Sequence, residues 1–380
     1  MVRFVEDAAR SCLPWLSAAS AVAGGMLFWP PLGAISLAAE SLLDLPWAVP
    51  RRPGAPRQLG DYLLLQRLGG GAMGEVWRAE HERLKRPAAV KLIRPERLEG
   101  SRREVALLRF EREAKAMARL SSPHTVTVYD YGVAEDGTRF YAMELLDGLD
   151  LETLVERRGP LAPERAIRVL KQVALALSEA HQQGLVHRDI KPANVVLCRR
   201  GLVGDVAKVL DFGVAAHPLS AQDPRATGSG LVVGTPATMA PEVIRGVPAD
   251  PRSDVYSLGC VAYWVLTGRY PFEAADTHTT FTMHLACEAL PPSQHLPAGA
   301  IPPVLDVLVQ ACLEKDPTRR PQGMEALARR LERLESLLGQ GSGTGPVPAE
   351  DPELVLHPPR GDRATTPALQ YGFPPLRCAG

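Results

Sequence analysis

His187-Arg188-Asp189-Ile190-Lys191-Pro192-Ala193-Asn194 sets a carboxylate, an ammonium and an amide into one short loop. The residues before it read as a helix: between 164 and 182, Ile167, Leu170, Val173, Ala174 and Leu177 recur at three-and-four spacing, with Pro163 at the start and Gly184 beyond the end. The loop is therefore carried by a helix with one buried face. Downstream, Asp211-Phe212-Gly213 adds a second carboxylate, a ring to pack inward and a glycine that permits a backbone turn. Ala240-Pro241-Glu242 follows, and Arg320, in Asp316-Pro317-Thr318-Arg319-Arg320-Pro321, is placed to pair with Glu242.

Upstream the chain is strand-like over 62 to 68, 74 to 80 and 88 to 93 before turning helical, so a small sheet unit comes first. Leu68-Gly69-Gly70-Gly71-Ala72-Met73-Gly74-Glu75-Val76 holds G-x-G-x-x-G-x-V between two of these runs. A glycine cluster of this kind often forms only a tight turn, but such a backbone can also fold closely over polyphosphate. A dinucleotide site would require a helix after the third glycine, whereas Glu75-Val76-Trp77-Arg78-Ala79 reads as strand, which favours a flap. Ala88-Ala89-Val90-Lys91 puts a lysine in an apolar strand, where its charge is costly unless anions accompany it. The α- and β-phosphates of a nucleotide would serve; a lysine that snorkels from a strand end is the alternative. Glu113, in the charged helical stretch 109 to 114, is placed to pair with Lys91, and Glu111 is the other candidate. On this frame Asp189 can orient a hydroxyl and accept its proton. Lys191 can neutralise charge on a transferred phosphoryl group, and Asn194 and Asp211 can hold Mg²⁺.

In this order the motifs resemble the eukaryotic-like (Hanks-type) protein kinase family and, within it, the bacterial serine/threonine kinases, over about residues 61 to 338. The resemblance implies an α+β, two-lobed fold, with a small mainly-β N-lobe at about 59 to 143 and a larger mainly-α C-lobe at about 147 to 338. ATP and Mg²⁺, with Mn²⁺ as the alternative ion, would be the cofactors. ATP would lie in the cleft against Leu68, Gly69, Gly70, Gly71, Ala72, Met73, Gly74, Glu75 and Val76. Lys91 and Glu113 would serve its phosphates, Met143 would be the gatekeeper, and Glu144 to Leu146 the hinge facing adenine. Asp189 and Lys191 become the catalytic pair, Asn194 and Asp211 the metal ligands, and the γ-phosphate goes to serine or threonine hydroxyls of protein substrates. Lys191, with Gly234-Thr235, resembles the serine/threonine rather than the tyrosine branch. Asp254 is similar to the aspartate that braces the loop, and His187 to a spine residue. Arg188 implies a phosphate-gathering role, with Thr227 and Ser229 as autophosphorylation sites and a transient dimer as the means. Two departures stand out. Thr238 replaces the family's usual aromatic residue, which alters the acceptor-side pocket, and 198 to 205 lengthens the hairpin between Asn194 and Asp211.

A net charge of zero over 380 residues provides no bulk attraction for nucleic acid. The six cysteines (Cys12, Cys198, Cys260, Cys287, Cys312, Cys378) suggest neither a zinc knuckle nor a disulfide framework and fit a cytoplasmic setting. His278, His284 and Cys287 lack a fourth metal ligand at suitable spacing. The extension 1 to 58 contains an uncharged apolar segment, 11 to 39, which suits either a membrane-associated element or a soluble extension. A membrane hairpin would have to bury Glu40 and Asp44 in its second arm, an aspartate alone costing about 2.5 kcal/mol or more at a helix centre. The tail 339 to 380, rich in Gly, Pro, Ser and Thr, reads as disordered. A kinase-like scaffold without transfer activity and a small-molecule phosphotransferase of related fold are the competing functions. Lys91, Asp189, Asn194 and Asp211 together disfavour the first, and the long segment ending in Ala240-Pro241-Glu242 disfavours the second.

Overall fold

The computed structural model describes residues 57–71, 74–93, 101–200, 203–212 and 235–341. The expectations placed on 1–56, on Ala72, Met73, Gly213, Thr227, Ser229 and Gly234, and on 342–380 lie outside the described residues.

Alternation builds the first lobe. Strands β1 (Arg57–Leu59), β2 (Tyr62–Gly71), β3 (Gly74–His81), β4 (Arg86–Ile93), β5 (Val128–Val133) and β6 (Arg139–Glu144) form an antiparallel sheet in the order β1-β2-β3-β4-β6-β5. Successive side chains point to opposite faces of a strand. Hence Ala88, Val90 and Leu92 pack with Leu59, Tyr62, Leu64, Phe140 and Ala142 on one face. Ala89 and Ile93 join Tyr141, Met143 and the Phe110, Ala114 and Met117 side chains of helix α1 (Ser101–Met117) on the other. Lys91 belongs to this second face, so the same alternation that makes the core aims its ammonium at α1.

Strand β2 runs past the expected end at residue 68, because Gly69, Gly70 and Gly71 pair with Val76, Glu75 and Gly74. Glycine retains both backbone hydrogen-bonding groups, so the ladder continues to the turn. At Gly74 the requirement is steric: a Cβ there would meet the Leu92 carbonyl oxygen at 2.0 Å.

The second lobe consists of α2 (Leu151–Arg158), α3 (Pro163–Gln182), α4 (Pro241–Ile244), α5 (Pro251–Thr267), α6 (Thr277–Ala286), α7 (Pro303–Cys312) and α8 (Met324–Gly341). A small sheet, β7 (Gly148–Asp150), β8 (Val195–Arg200) and β9 (Val203–Val209), completes it. The α+β two-lobed architecture is thus as the motifs imply. Helix α5 is its post: 14 of its 17 residues are buried, the pattern of a helix surrounded by protein. Asp250 and Ser253 form its capping box, and Gly268, at φ 70°, ends it in the left-handed conformation. All five apolar residues expected on one face of α3 are buried. Helix α8 buries Met324, Leu327, Leu331 and Leu334 and is linked to α3 by the Lys171–Glu335 ion pair. Among the described residues no helix is long and apolar enough to cross a membrane.

Candidate active site

The loop after α3 takes its shape from one buried side chain of α5. Asp254 accepts hydrogen bonds from His187 N (2.8 Å) and Arg188 N (2.9 Å), and His181 Nε2 lies 2.8 Å from its carboxylate. Arg188 consequently sits at φ 69°, a left-handed backbone that costs a non-glycine residue of the order of 1–3 kcal/mol unless its surroundings impose it. The fully buried His187 ring donates from Nε2 to the Leu210 carbonyl (2.8 Å), which leaves Nδ1 to accept from Asp189 N (3.3 Å). Phe212 is also fully buried, its ring 4.8 Å from that of His187. The loop is therefore tied to α5 and to the strand leading into Asp211.

On this support the Asp189 carboxylate collects three donors. Lys191 Nζ lies 2.8 Å from Oδ2, Asn194 Nδ2 is 3.3 Å from Oδ2 and 2.8 Å from the Asp189 carbonyl, and Thr235 Oγ1 donates to Oδ1 at 3.0 Å. Lys191 also donates to Thr235 Oγ1 at 3.1 Å. Thr235, read from sequence only as a branch marker, is thus a member of the loop's hydrogen-bond network.

The second group of charges lies between the lobes. Lys91 Nζ is 2.9 Å from Glu113 Oε1 and 2.8 Å from Asp211 Oδ1. Burial acts against the Lys91 charge, but the two carboxylates outweigh it and hold the amine as an ammonium. Burial pushes the Glu113 carboxyl up, with Lys91 opposing. For Asp211 the balance falls the other way: burial is outweighed by Lys91, so its carboxyl lies below the ordinary range. Glu111, the alternative partner, is engaged instead with Lys115 (2.7 Å) and Arg139 (3.0 Å) on the outside of α1. Asp211 stands at φ 42°, a second left-handed residue in the site. Sequence reasoning missed Tyr141, whose hydroxyl donates to Glu113 Oε1 at 2.9 Å and lies 3.4 Å from Asp211 Oδ1.

Two residues of the nucleotide-facing runs have their side chains engaged within the protein. Alternation puts Glu75 and Val76 on opposite faces of β3. The Glu75 carboxylate accepts from Trp77 Nε1 (3.2 Å) and pairs with Arg67 Nε (3.5 Å), on the sheet face opposite Lys91. Glu144 buries its carboxylate against Lys208 Nζ (2.5 Å) and Thr127 N (2.9 Å). Any hinge contact of Glu144 must therefore come from its main chain. Leu68 is exposed, Val76 and Leu146 are half-buried, and Met143 is buried. Thr238 is buried in the departure from the family pattern, its carbonyl accepting from Ser257 Oγ at 2.8 Å, and it lines a recess shared with Arg188, Asp189, Thr235 and Met239.

A protein kinase domain model matches residues 62–331. The chain is 40% identical over 269 residues to the serine/threonine-protein kinase pkn3 of Myxococcus xanthus, covering 70% of this chain and 49% of that protein. It is 40% identical over 268 residues to PknD of Mycobacterium tuberculosis, covering 70% of this chain and 39% of that one. The chain thus spans about half the length of these relatives or less. The kinase domain of Mycobacterium tuberculosis PknI superposes with a TM-score of 0.57 at 27% identity, covering 75% of this chain and 99% of that one. With the domain model matching across both lobes, the chain belongs to the protein kinase domain family.

Proposed function

We propose that the chain is an ATP-dependent serine/threonine protein kinase, transferring the γ-phosphate of ATP to hydroxyls of protein substrates. The observation that carries this reading is the convergence of two charge groups from distant parts of the chain. Lys91 is held as an ammonium between Glu113 and Asp211, while Asp189, Lys191, Asn194 and Thr235 form a second network on the loop below. In this reading Asp189 orients the acceptor hydroxyl and takes its proton, Lys191 offsets charge on the moving phosphoryl group, and Lys91 holds the α- and β-phosphates. The glycine strands, Val76 and the main chain of the hinge enclose the nucleotide. Asn194 and Asp211 supply oxygen donors that suit Mg²⁺, or Mn²⁺ in its place. The ion would neutralise phosphate charge and fix its geometry.

Incubation with γ-labelled ATP, Mg²⁺ and a generic protein substrate, followed by phosphoamino-acid analysis, is expected to find label on serine and threonine. Label confined to a small molecule, or none above a heat-killed control, would overturn the reading.

Regulation belongs to the same proposal. Arg188, whose main-chain N–H is bound by Asp254, directly precedes Asp189 in the chain, and phosphate on Thr227 or Ser229 is the expected partner of its guanidinium. Autophosphorylation there would proceed through a transient dimer, with the kinase domain in the cytoplasm. Mass spectrometry of active protein is expected to show phosphate on at least one of the two; active protein with Thr227, Ser229 and Ser220 all unmodified rules this out.

A further inference from the structure

Tyr141 has no role in the chemistry described so far, yet it stands at the centre of the inter-lobe charges. Residues 139 to 144 of β6 alternate between the two faces of the sheet, and in the β4–β6 register Tyr141 is directly opposite Lys91, on the same face. Its side chain is completely buried, its ring 5.0 Å from that of Phe110 on α1. The neighbouring β6 residues Phe140, Ala142 and Met143 are apolar, so a phenylalanine would satisfy the packing at 141. A buried phenol is stabilising only where its hydroxyl has a partner.

That partner is Glu113 Oε1, 2.9 Å from the Tyr141 hydroxyl and 2.9 Å from Lys91 Nζ. The two donors differ in their other commitments. Lys91 already divides its ammonium between Glu113 and Asp211, and in the kinase reading it must also meet phosphate oxygens. Each added anion weakens its hold on any one carboxylate. The Tyr141 hydroxyl is neutral, comes from an interior strand rather than a flexible stem, and has one close acceptor, Asp211 Oδ1 being 3.4 Å away.

We propose that Tyr141 is a positioning residue for phosphoryl transfer: its hydroxyl anchors the Glu113 carboxylate, and with it helix α1, to the sheet, so that the Lys91–Glu113 pair persists when Lys91 engages the nucleotide. The role in transfer rests on the kinase reading; the anchoring of α1 does not.

Tyr141→Phe removes one oxygen and preserves the ring. A hydrogen bond to a buried carboxylate is worth about a tenfold change in equilibrium, and a site whose competent state is less populated loses apparent affinity by the same fraction. The expected result is a fall of about tenfold in kcat/KM for ATP, with faster amide hydrogen exchange over residues 110 to 117 of α1. In a Glu113→Ala background the same substitution should add less than about twofold, because its acceptor is already gone. Unchanged kcat/KM and exchange in Tyr141→Phe, or an undiminished tenfold loss in the Glu113→Ala background, overturns the proposal. Faster exchange in Tyr141→Phe from a wild type that transfers no phosphate would sink the kinase reading and leave the anchor standing.

Discussion

Arg320→Ala is expected to lower the free energy of unfolding by about 3–5 kcal/mol, the cost of leaving one member of a buried ion pair without its partner. Arg320 is 2% exposed and Glu242 8%. The guanidinium grips the carboxylate with both terminal nitrogens, at 2.8 Å each, and its remaining donors reach the carbonyls of Arg252 (2.9 Å), Glu314 (2.8 Å) and Lys315 (3.3 Å). Ser253 Oγ completes the group, 2.7 Å from Glu242. Burial raises the Glu242 carboxyl, but the hydrogen bonds from Arg320 and Ser253 outweigh it and hold the group below its usual range. The pair's contribution is therefore present above the unfolded-state value and fades as pH falls through the lower folded one.

Truncating Arg320 leaves Glu242 buried at the start of α4, just after the segment from which Thr235 reaches Asp189 and whose Thr238 carbonyl is tied to Ser257 of α5. Activity should fall with stability. Arg320→Lys retains the charge but not the two-pronged geometry and should recover only a minor part of the loss. Denaturant midpoints on the full chain measure both variants. A loss under about 1 kcal/mol for Arg320→Ala would mean that the pair is not the bracket its geometry suggests.

The second large effect concerns chemistry rather than folding. Asp189→Asn preserves size but turns one acceptor oxygen into a donor and, in the kinase reading, removes the proton acceptor; loss of a general base costs about 10²–10⁴ in rate. The variant should fold normally, since the loop backbone is held by Asp254 and the Asp189 carboxylate lies outside the apolar core. Its donors, Lys191, Asn194 and Thr235, are separate from the Lys91, Glu113 and Asp211 group. Nucleotide affinity should therefore survive where transfer does not.

Local spacing made parts of the molecule readable in advance. The face of α3 and the short loop around Asp189 both follow from patterns within about twenty residues, the range over which periodicity and caps act. Long-range partners were not readable in the same way. Lys91 and Lys208 present the same local signal, a lysine inside an apolar strand. The first faces α1 and the cleft, whereas the second is 1% exposed and locked onto Glu144, 64 positions away, and onto the Thr125 carbonyl. Only the pairing of strands decides which lysine is offered to a ligand. Tyr141 was hidden for a related reason: a tyrosine among Phe140, Ala142 and Met143 looks like one more apolar core residue until the β4–β6 register places it opposite Lys91. The direction of the Glu75 side chain was hidden likewise, because a motif names positions, while strand alternation decides which face each side chain takes.

The most direct test of Asp189 as the proton-accepting centre measures nucleotide affinity and the rate of γ-phosphate transfer on the same preparations of wild type and Asp189→Asn. The expected result is an affinity within about twofold of wild type and transfer slower by at least about a hundredfold. Equal transfer by the two proteins would contradict it.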